Sequence, residues 1–114
     1  MRMLDPEVVG THRQELRRGT SSLACLALLA TTLDYGYNLL DRLAALGLEV
    51  EANTLYPLLR RLEKQGLLSF KWETSQARPR KVYRTSAAGE ELISILRGDW
   101  ALLTAALDHT GEPS

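Results

Sequence analysis

Tyr56, Arg60 and Lys64 recur every four residues, with Arg61 beside them. On a helix this spacing stacks an aromatic ring and several cations along one face. Such a face suits a polyanion: cations meet phosphates, and an arginine or tyrosine can reach base edges in a groove. The residues in between have the opposite chemistry. Leu55, Leu58, Leu59 and Leu62 fall at i, i+3, i+4 and i+7, an apolar stripe that can seat the helix in a core. Asn53 to Gly66 therefore reads as a short two-faced helix. Asn53 or Thr54 can cap its first turn. Thr54 is the better cap, because Pro57 then takes the third helical position, where a missing N–H costs no hydrogen bond. Gly66 supplies the stop. A leucine stripe backed by charges also describes any solvated surface helix, so the next segment decides between the readings.

That segment changes period. Leu68, Phe70 and Trp72 alternate with Ser69, Lys71 and Glu73, a two-residue repeat that predicts a strand. Ser75 to Pro79 reads as a loop, since Pro79 fits a strand edge and not its interior. Arg80 to Thr85 reads as a second strand. The pair forms a hairpin, or wing, whose tip is expected to carry Arg78, Arg80 and Lys81. These cations suit a phosphate backbone or a minor groove. The competing reading is an edge hairpin that uses charge to avoid aggregation. Charge distribution favours nucleic acid. The 114-residue chain has a formal net charge of zero, yet Asn53 to Arg84 holds eight cations (Arg60, Arg61, Lys64, Lys71, Arg78, Arg80, Lys81, Arg84) against Glu63 and Glu73. A local surplus of six on a neutral chain is the footprint of a polyanion-binding surface.

Composition excludes several other classes. The length suggests one globular unit, and an apolar content of 45% is ordinary. Leu23 to Leu33 falls far short of the ~20 residues of a membrane span. No signal-peptide pattern opens the chain, so the expected location is the cytoplasm. The single cysteine, Cys25, excludes an intramolecular disulfide and reads as a small core filler. With only His12 and His109 beside it, there is no metal set. No nucleophile with a nearby base, paired-carboxylate motif or glycine-rich phosphate loop is present. The expectation is a protein without cofactor, metal or catalytic residues, and not an enzyme.

The remaining elements must position the cationic face. Asp5-Pro6-Glu7 can open a helical turn, with Asp5 as cap, that Gly10 interrupts. Thr11 to Arg18 reads as a short polar helix, whose Arg13, Arg17 and Arg18 either add phosphate contacts or form a solvated face. Ser21 to Leu33 is apolar on nearly every side, a central core helix. Asp34-Tyr35-Gly36-Tyr37 breaks it. Tyr37 to Leu46 forms the next helix, which Gly47 ends, and Leu48 to Ala52 is a short connector. Three helices joined by short turns, the third amphipathic and cationic, describe a helix-turn-helix core. Ser86 is placed to cap a last helix running to about Leu107. Ile93, Leu96, Trp100, Leu103 and Leu107 are spaced three, four, three, four, a heptad seam that needs a partner. Few helices remain to cover it, so a second copy is expected to. A symmetric dimer would set two cationic helices about one DNA turn apart.

Three strings carry a resemblance: G-Y-N-L-L-D-R-L from Gly36, T-L-Y-P-L-L-R-R-L-E-K-Q-G-L-L from Thr54, and R-P-R-K-V-Y-R-T-S-A-A-G from Arg78. They resemble the PadR family of bacterial transcriptional regulators over roughly Arg17 to Leu107. The length matches the smaller subfamily with a single dimerisation helix after the wing. The resemblance implies a mainly α fold with a small β-hairpin: a winged helix-turn-helix over residues 1–85 and a C-terminal dimerisation helix and tail over 86–114. It implies a homodimeric repressor that binds operator DNA as a duplex. It places the recognition helix at about 54–65, with Thr54, Tyr56, Arg60, Arg61 and Lys64 facing DNA, and the wing at about 67–85 with Arg78, Arg80 and Lys81. It also raises a small aromatic effector at Trp100, since some small members stack flat aromatic molecules on a tryptophan of the last helix at the dimer centre. Trp100 read from its spacing alone is a dimer anchor. The chain departs from the family pattern at Tyr35, usually histidine, at Asn38, usually acidic, and at Thr85-Ser86, usually leucine-threonine. A winged helix serving only as a protein-interaction module is the alternative function.

Overall fold

The computed structural model describes residues 3–75 and 77–111. Met1, Arg2, the loop residue Gln76 and the tail 112–114 lie outside the described residues. Among the described residues five helices and three short strands follow one another: α1 (Pro6–Arg18), α2 (Ser21–Thr31), β1 (Asp34–Tyr35), α3 (Gly36–Ala45), α4 (Ala52–Lys64), β2 (Leu68–Glu73), β3 (Arg80–Thr85) and α5 (Ala87–Thr110). The expected mainly helical fold with a small hairpin is present.

The core is leucine-rich and drawn from every central element. Cys25, Leu26 and Leu29 of α2, Leu39 and Leu43 of α3, Leu55, Leu58, Leu59 and Leu62 of α4, and Leu68 and Tyr83 of the sheet form one buried cluster. Two glycines terminate the helices that enter it. Gly47 and Gly66 both adopt left-handed φ, at 78° and 77°. In each case two bonds close the turn: Gly47 N–H to Ala44 O and Leu48 N–H to Leu43 O after α3, Gly66 N–H to Glu63 O and Leu67 N–H to Leu62 O after α4. These are Schellman caps, which satisfy the last helical carbonyls and swing the chain out of the helix.

The hairpin has the expected antiparallel register, with Phe70 opposite Tyr83 and Trp72 opposite Lys81. A third strand was not anticipated. Asp34 and Tyr35 pair with Tyr83 and Val82, giving the sheet order β1-β3-β2. Two residues carry no periodicity, so only the tertiary pairing reveals them. This strand is also why α2 stops at Thr31 and not at Leu33: Thr32 is already extended, with φ −148° and ψ 123°.

Three further expectations need correction. Gly10 does not interrupt α1, which is continuous from Pro6. One interior glycine costs a helix only about 1 kcal/mol. The start is capped as expected, with Asp5 Oδ1 accepting from Glu7 N–H at 2.8 Å. Secondly, α4 begins at Ala52, with Glu51 as its N-cap residue, and Thr54 lies inside it. The Glu51 carbonyl accepts from both Thr54 N–H (3.0 Å) and Leu55 N–H (2.9 Å), so the backbone closes the first turn without a side chain. Pro57 is therefore inside the helix, where it removes one backbone bond. Lastly, α5 extends to Thr110, past Leu107.

The joint between wing and α5 is tight. Ser86 caps α5 as expected: its Oγ accepts from Gly89 N–H at 3.1 Å and donates to Gly66 O at 2.6 Å. Thr85 Oγ1 donates to Leu26 O at 2.7 Å in the core. A side chain on Gly89 would place its Cβ 2.3 Å from Leu67 O, so glycine is required there by contact. Beyond this joint α5 leaves the body. Leu92 and Ile93 still pack on the core, but every described residue from Arg97 onward is exposed.

Cys25 is completely buried, as a core filler should be, and burial pushes its thiol from 9.0 up to about 12. A native state that holds this proton more tightly than the unfolded chain gains stability that is full below pH 9.0 and is lost as pH rises towards about 12. At about pH 8 a thiol reagent should leave the folded protein untouched and react once it is unfolded. In alkaline unfolding titrations, Cys25→Ala should lose stability less steeply than the parent; equal slopes would show that other groups govern the alkaline limb.

Candidate nucleic-acid interface

α4 splits by face as its spacing demands. Leu55 and Leu59 are fully buried, Leu62 and Leu58 nearly so, and Arg60, Arg61 and Lys64 are exposed on the other side with Thr54. Among the described residues none of these three cations makes an ion pair. Tyr56 is partly exposed and leans on the start of α3. A Cβ added to Gly36 would meet the Tyr56 ring at 3.0 Å and Leu59 at 3.1 Å. Glycine there lets α3 and α4 approach.

The wing cations fall into two groups. Arg78 is in the exposed loop and has no ion pair among the described residues. Arg80 and Lys81, expected at the tip, are instead strand residues held against aromatic rings. The Arg80 guanidinium lies 4.5 Å from the Tyr35 ring centre and 5.4 Å from that of Tyr37. Lys81 Nζ lies 4.1 Å from the Phe70 centre and 3.0 Å from Glu63 Oε1 on α4. The physical reason is the register: strand pairing continues out to Glu73 opposite Arg80, leaving only the intervening loop as tip. That loop starts with Ser75 N–H on Glu73 Oε1 at 3.0 Å. The Ser75 hydroxyl and backbone N–H hold the Glu73 carboxyl below its ordinary range.

A second polar node sets the helix-turn-helix against the wing. Asp34 Oδ1 accepts from Tyr35 N–H and from Asn38 Nδ2, both at 2.8 Å. Asp34 Oδ2 pairs with Arg42 Nη1 at 3.3 Å. Arg42 also donates from Nη2 to Leu28 O at 2.7 Å and from Nη1 to Thr32 O at 3.2 Å, capping the end of α2. One arginine thus ties α2, β1 and α3 together. Sequence reading missed this node, as it did the Glu63 partner of Lys81. The one available signal was spacing: Asp34, Asn38 and Arg42 recur every four residues.

The arginines of α1 line an open cleft. Arg13, Arg17 and Arg18 face Glu49, Glu51 and Thr54 across it. α1 itself buries no residue.

This arrangement, a helix-turn-helix with a basic two-faced third helix and a hairpin after it, has close counterparts. Residues 25–94 match the model of the transcriptional regulator PadR-like family. The chain belongs to that family. PadR-like structures superpose on it closely. One from Eggerthella lenta is 40% identical, with a TM-score of 0.89 over 95% of this chain and 96% of its own. A PadR-like transcription factor from Bacteroides fragilis is 31% identical, with a TM-score of 0.74 over 89% of this chain and 99% of its own. Transcriptional regulator Rv3488 of Mycobacterium tuberculosis is 35% identical over 81 residues, which are 71% of this chain and 76% of that protein. As a PadR-like winged-helix protein this chain is a transcriptional regulator and not an enzyme. No helix among its described residues is long and apolar enough to cross a membrane.

The departure from the PadR pattern at Asn38 has a structural account. An acid there would set a second carboxylate against Asp34, whereas the Asn38 amide donates to it. Asn38→Asp should cost about 1–2 kcal/mol at neutral pH, through the lost bond and the new repulsion. Chemical denaturation checks this; a variant as stable as the parent would show that Arg42 absorbs both charges.

Proposed function

We propose that this regulator reads operator DNA as a homodimeric repressor, with α4 as recognition helix and the wing beside it. One observation carries the reading: α4 is anchored by four buried leucines while its opposite face presents Arg60, Arg61 and Lys64 without ion-pair partners among the described residues. A helix held rigidly from behind can be pushed into a major groove, and unpaired cations release counterions from the duplex when they meet phosphates. Thr54, Tyr56 and Arg60 are the candidates for base edges, with Arg61, Lys64 and Arg78 on the backbone. The unpaired cations also weigh against a module that binds only proteins.

In this reading the chain divides near Ser86 into a DNA-binding part and a dimerisation helix. The dimer rests on the outer part of α5. Ile93 is already used by its own core and Leu96 is half-buried, but Trp100, Leu103 and Leu107 stand 48%, 58% and 65% exposed. Large apolar side chains at seam spacing call for a matching helix, and an isologous pairing of two α5 helices supplies one. A small aromatic ligand stacked on Trp100 at the dimer axis would change the spacing of the two recognition helices and so release DNA.

Gel-shift titration against the duplex upstream of the protein's own gene, at two salt concentrations, tests DNA reading. The shift should weaken with salt, and Arg60→Ala should lose about 1–3 kcal/mol of selective affinity while remaining dimeric. Equal binding by the variant would remove Arg60 from the reading face. The effector is tested in a Trp72→Phe background, which leaves Trp100 as the single tryptophan. Planar aromatic compounds should quench its emission in the dimer, and spectra unchanged across the series would leave Trp100 as an interface anchor alone.

A further inference from the structure

We infer that Lys81 is a positioning residue: with Glu63 it clamps the wing to the recognition helix at a set angle, and does not itself bind phosphate. The inference rests on the DNA-reading function proposed above and assigns a different task to one of its cations.

The Lys81 ammonium is enclosed. Glu63 Oε1 lies 3.0 Å away, and the ring centres of Phe70, Trp72 and Tyr83 lie 4.1, 5.7 and 5.9 Å away. All three rings are within the range of cation–π attraction. Phe70 meets Trp72 edge-on at 6.0 Å and leans on Tyr83 at 6.5 Å, so the rings brace one another. Both partners of the ion pair are about three-quarters buried, at 28% and 26% side-chain exposure. To reach a phosphate Lys81 would have to leave a carboxylate and an aromatic face together. Arg60, Arg61 and Lys64 face no such barrier.

The position of the pair matters as much as its strength. Glu63 is the one acid within α4, in the last turn beside Lys64. Lys81 neutralises it at the place where an uncompensated carboxylate would repel a duplex. Lys81 also sits directly opposite Trp72, near the outer end of the β-ladder. The loop tip with Arg78 lies about 10 Å further out, at roughly 3.3 Å per residue, so a ~10° tilt of the hairpin would move it by roughly 2 Å. That shift would break a hydrogen-bonded contact to the backbone. On the opposite side of the hairpin Arg80 lies over Tyr35 and Tyr37, so the wing is gripped from both faces.

The test uses Glu63→Gln, Lys81→Met, the double variant and Lys81→Arg in the full chain. Amide hydrogen exchange is read without DNA. Binding is read with the best duplex that the parent selects from a random pool, and with an unrelated duplex, across a salt series. The clamp requires faster exchange in β2 and β3 for both single variants. It requires selective affinity to fall roughly tenfold in each single variant, with the double variant no worse than either. In the double variant, which removes both charges together, binding to the unrelated duplex and the salt slope should stay at parental values, which a general loss of folding would not produce. Lys81→Arg should restore selectivity, since it keeps the cation. Direct phosphate contact makes the opposite prediction: Glu63→Gln binds the selected duplex more tightly because it frees Lys81 and removes an acid, and the double variant lowers the salt slope by about one phosphate. Either result overturns the inference. Should the parent select no duplex, the DNA reading fails, and exchange alone decides the clamp: unchanged protection in both single variants overturns it.

Discussion

Burial of one helix face governs this protein. Four leucines of α4 are dry, and each such side chain is worth about 1.5–3 kcal/mol when taken from water. No other arrangement of α4 keeps all four in the core, so the rotation of the helix about its axis is set by the leucines. The cations on the far side have no choice in where they point. Their exposure is a consequence of core packing, which ties the candidate interface to the most stable part of the molecule.

The joints around that helix are built from close backbone approach and shared polar atoms. Gly66 turns the chain from α4 into β2, and its carbonyl accepts from the Ser86 hydroxyl that caps α5. Gly89 lets the first turn of α5 touch the Leu67 carbonyl. Arg42 of α3 caps α2 while pairing with Asp34 of β1. Each joint connects elements distant in sequence through atoms within about 3 Å, so helix-turn-helix and wing form one stiff body. The outer half of α5 shares none of this. It projects with its apolar residues uncovered, and the long dimension of the chain, 60 Å, records that.

Cations of one type acquire different tasks from their neighbours. Arg60 and Arg78 stand in water and are available to a polyanion. Arg80 and Lys81 lie on rings, and Lys81 is paired as well. A count of charge along the chain weights all four equally. A protein surface does not, since a cation already satisfied by a carboxylate and a π-face must lose those contacts before it gains a phosphate.

The helical core, the two faces of α4, the strand pair and the cap at Ser86 are legible in the chain before it folds. Each depends on contacts between residues a few positions apart, which leave a period or a cap residue in the chain. The PadR-like strings carried the family in the same way. The start of α4 differs from the expected one because no side chain caps its first turn, and a capping side chain is the signal that a sequence displays. The continuity of α1 through Gly10 is likewise a small energetic balance that composition does not display. Long-range packing alone makes Asp34 and Tyr35 a strand, sets Arg42 on the end of a neighbouring helix and pairs Lys81 with Glu63. Those partners come from separate elements, and in the case of Lys81 the two are 18 residues apart. Nothing short of folding brings such groups to 3.0 Å, so no local pattern can announce them.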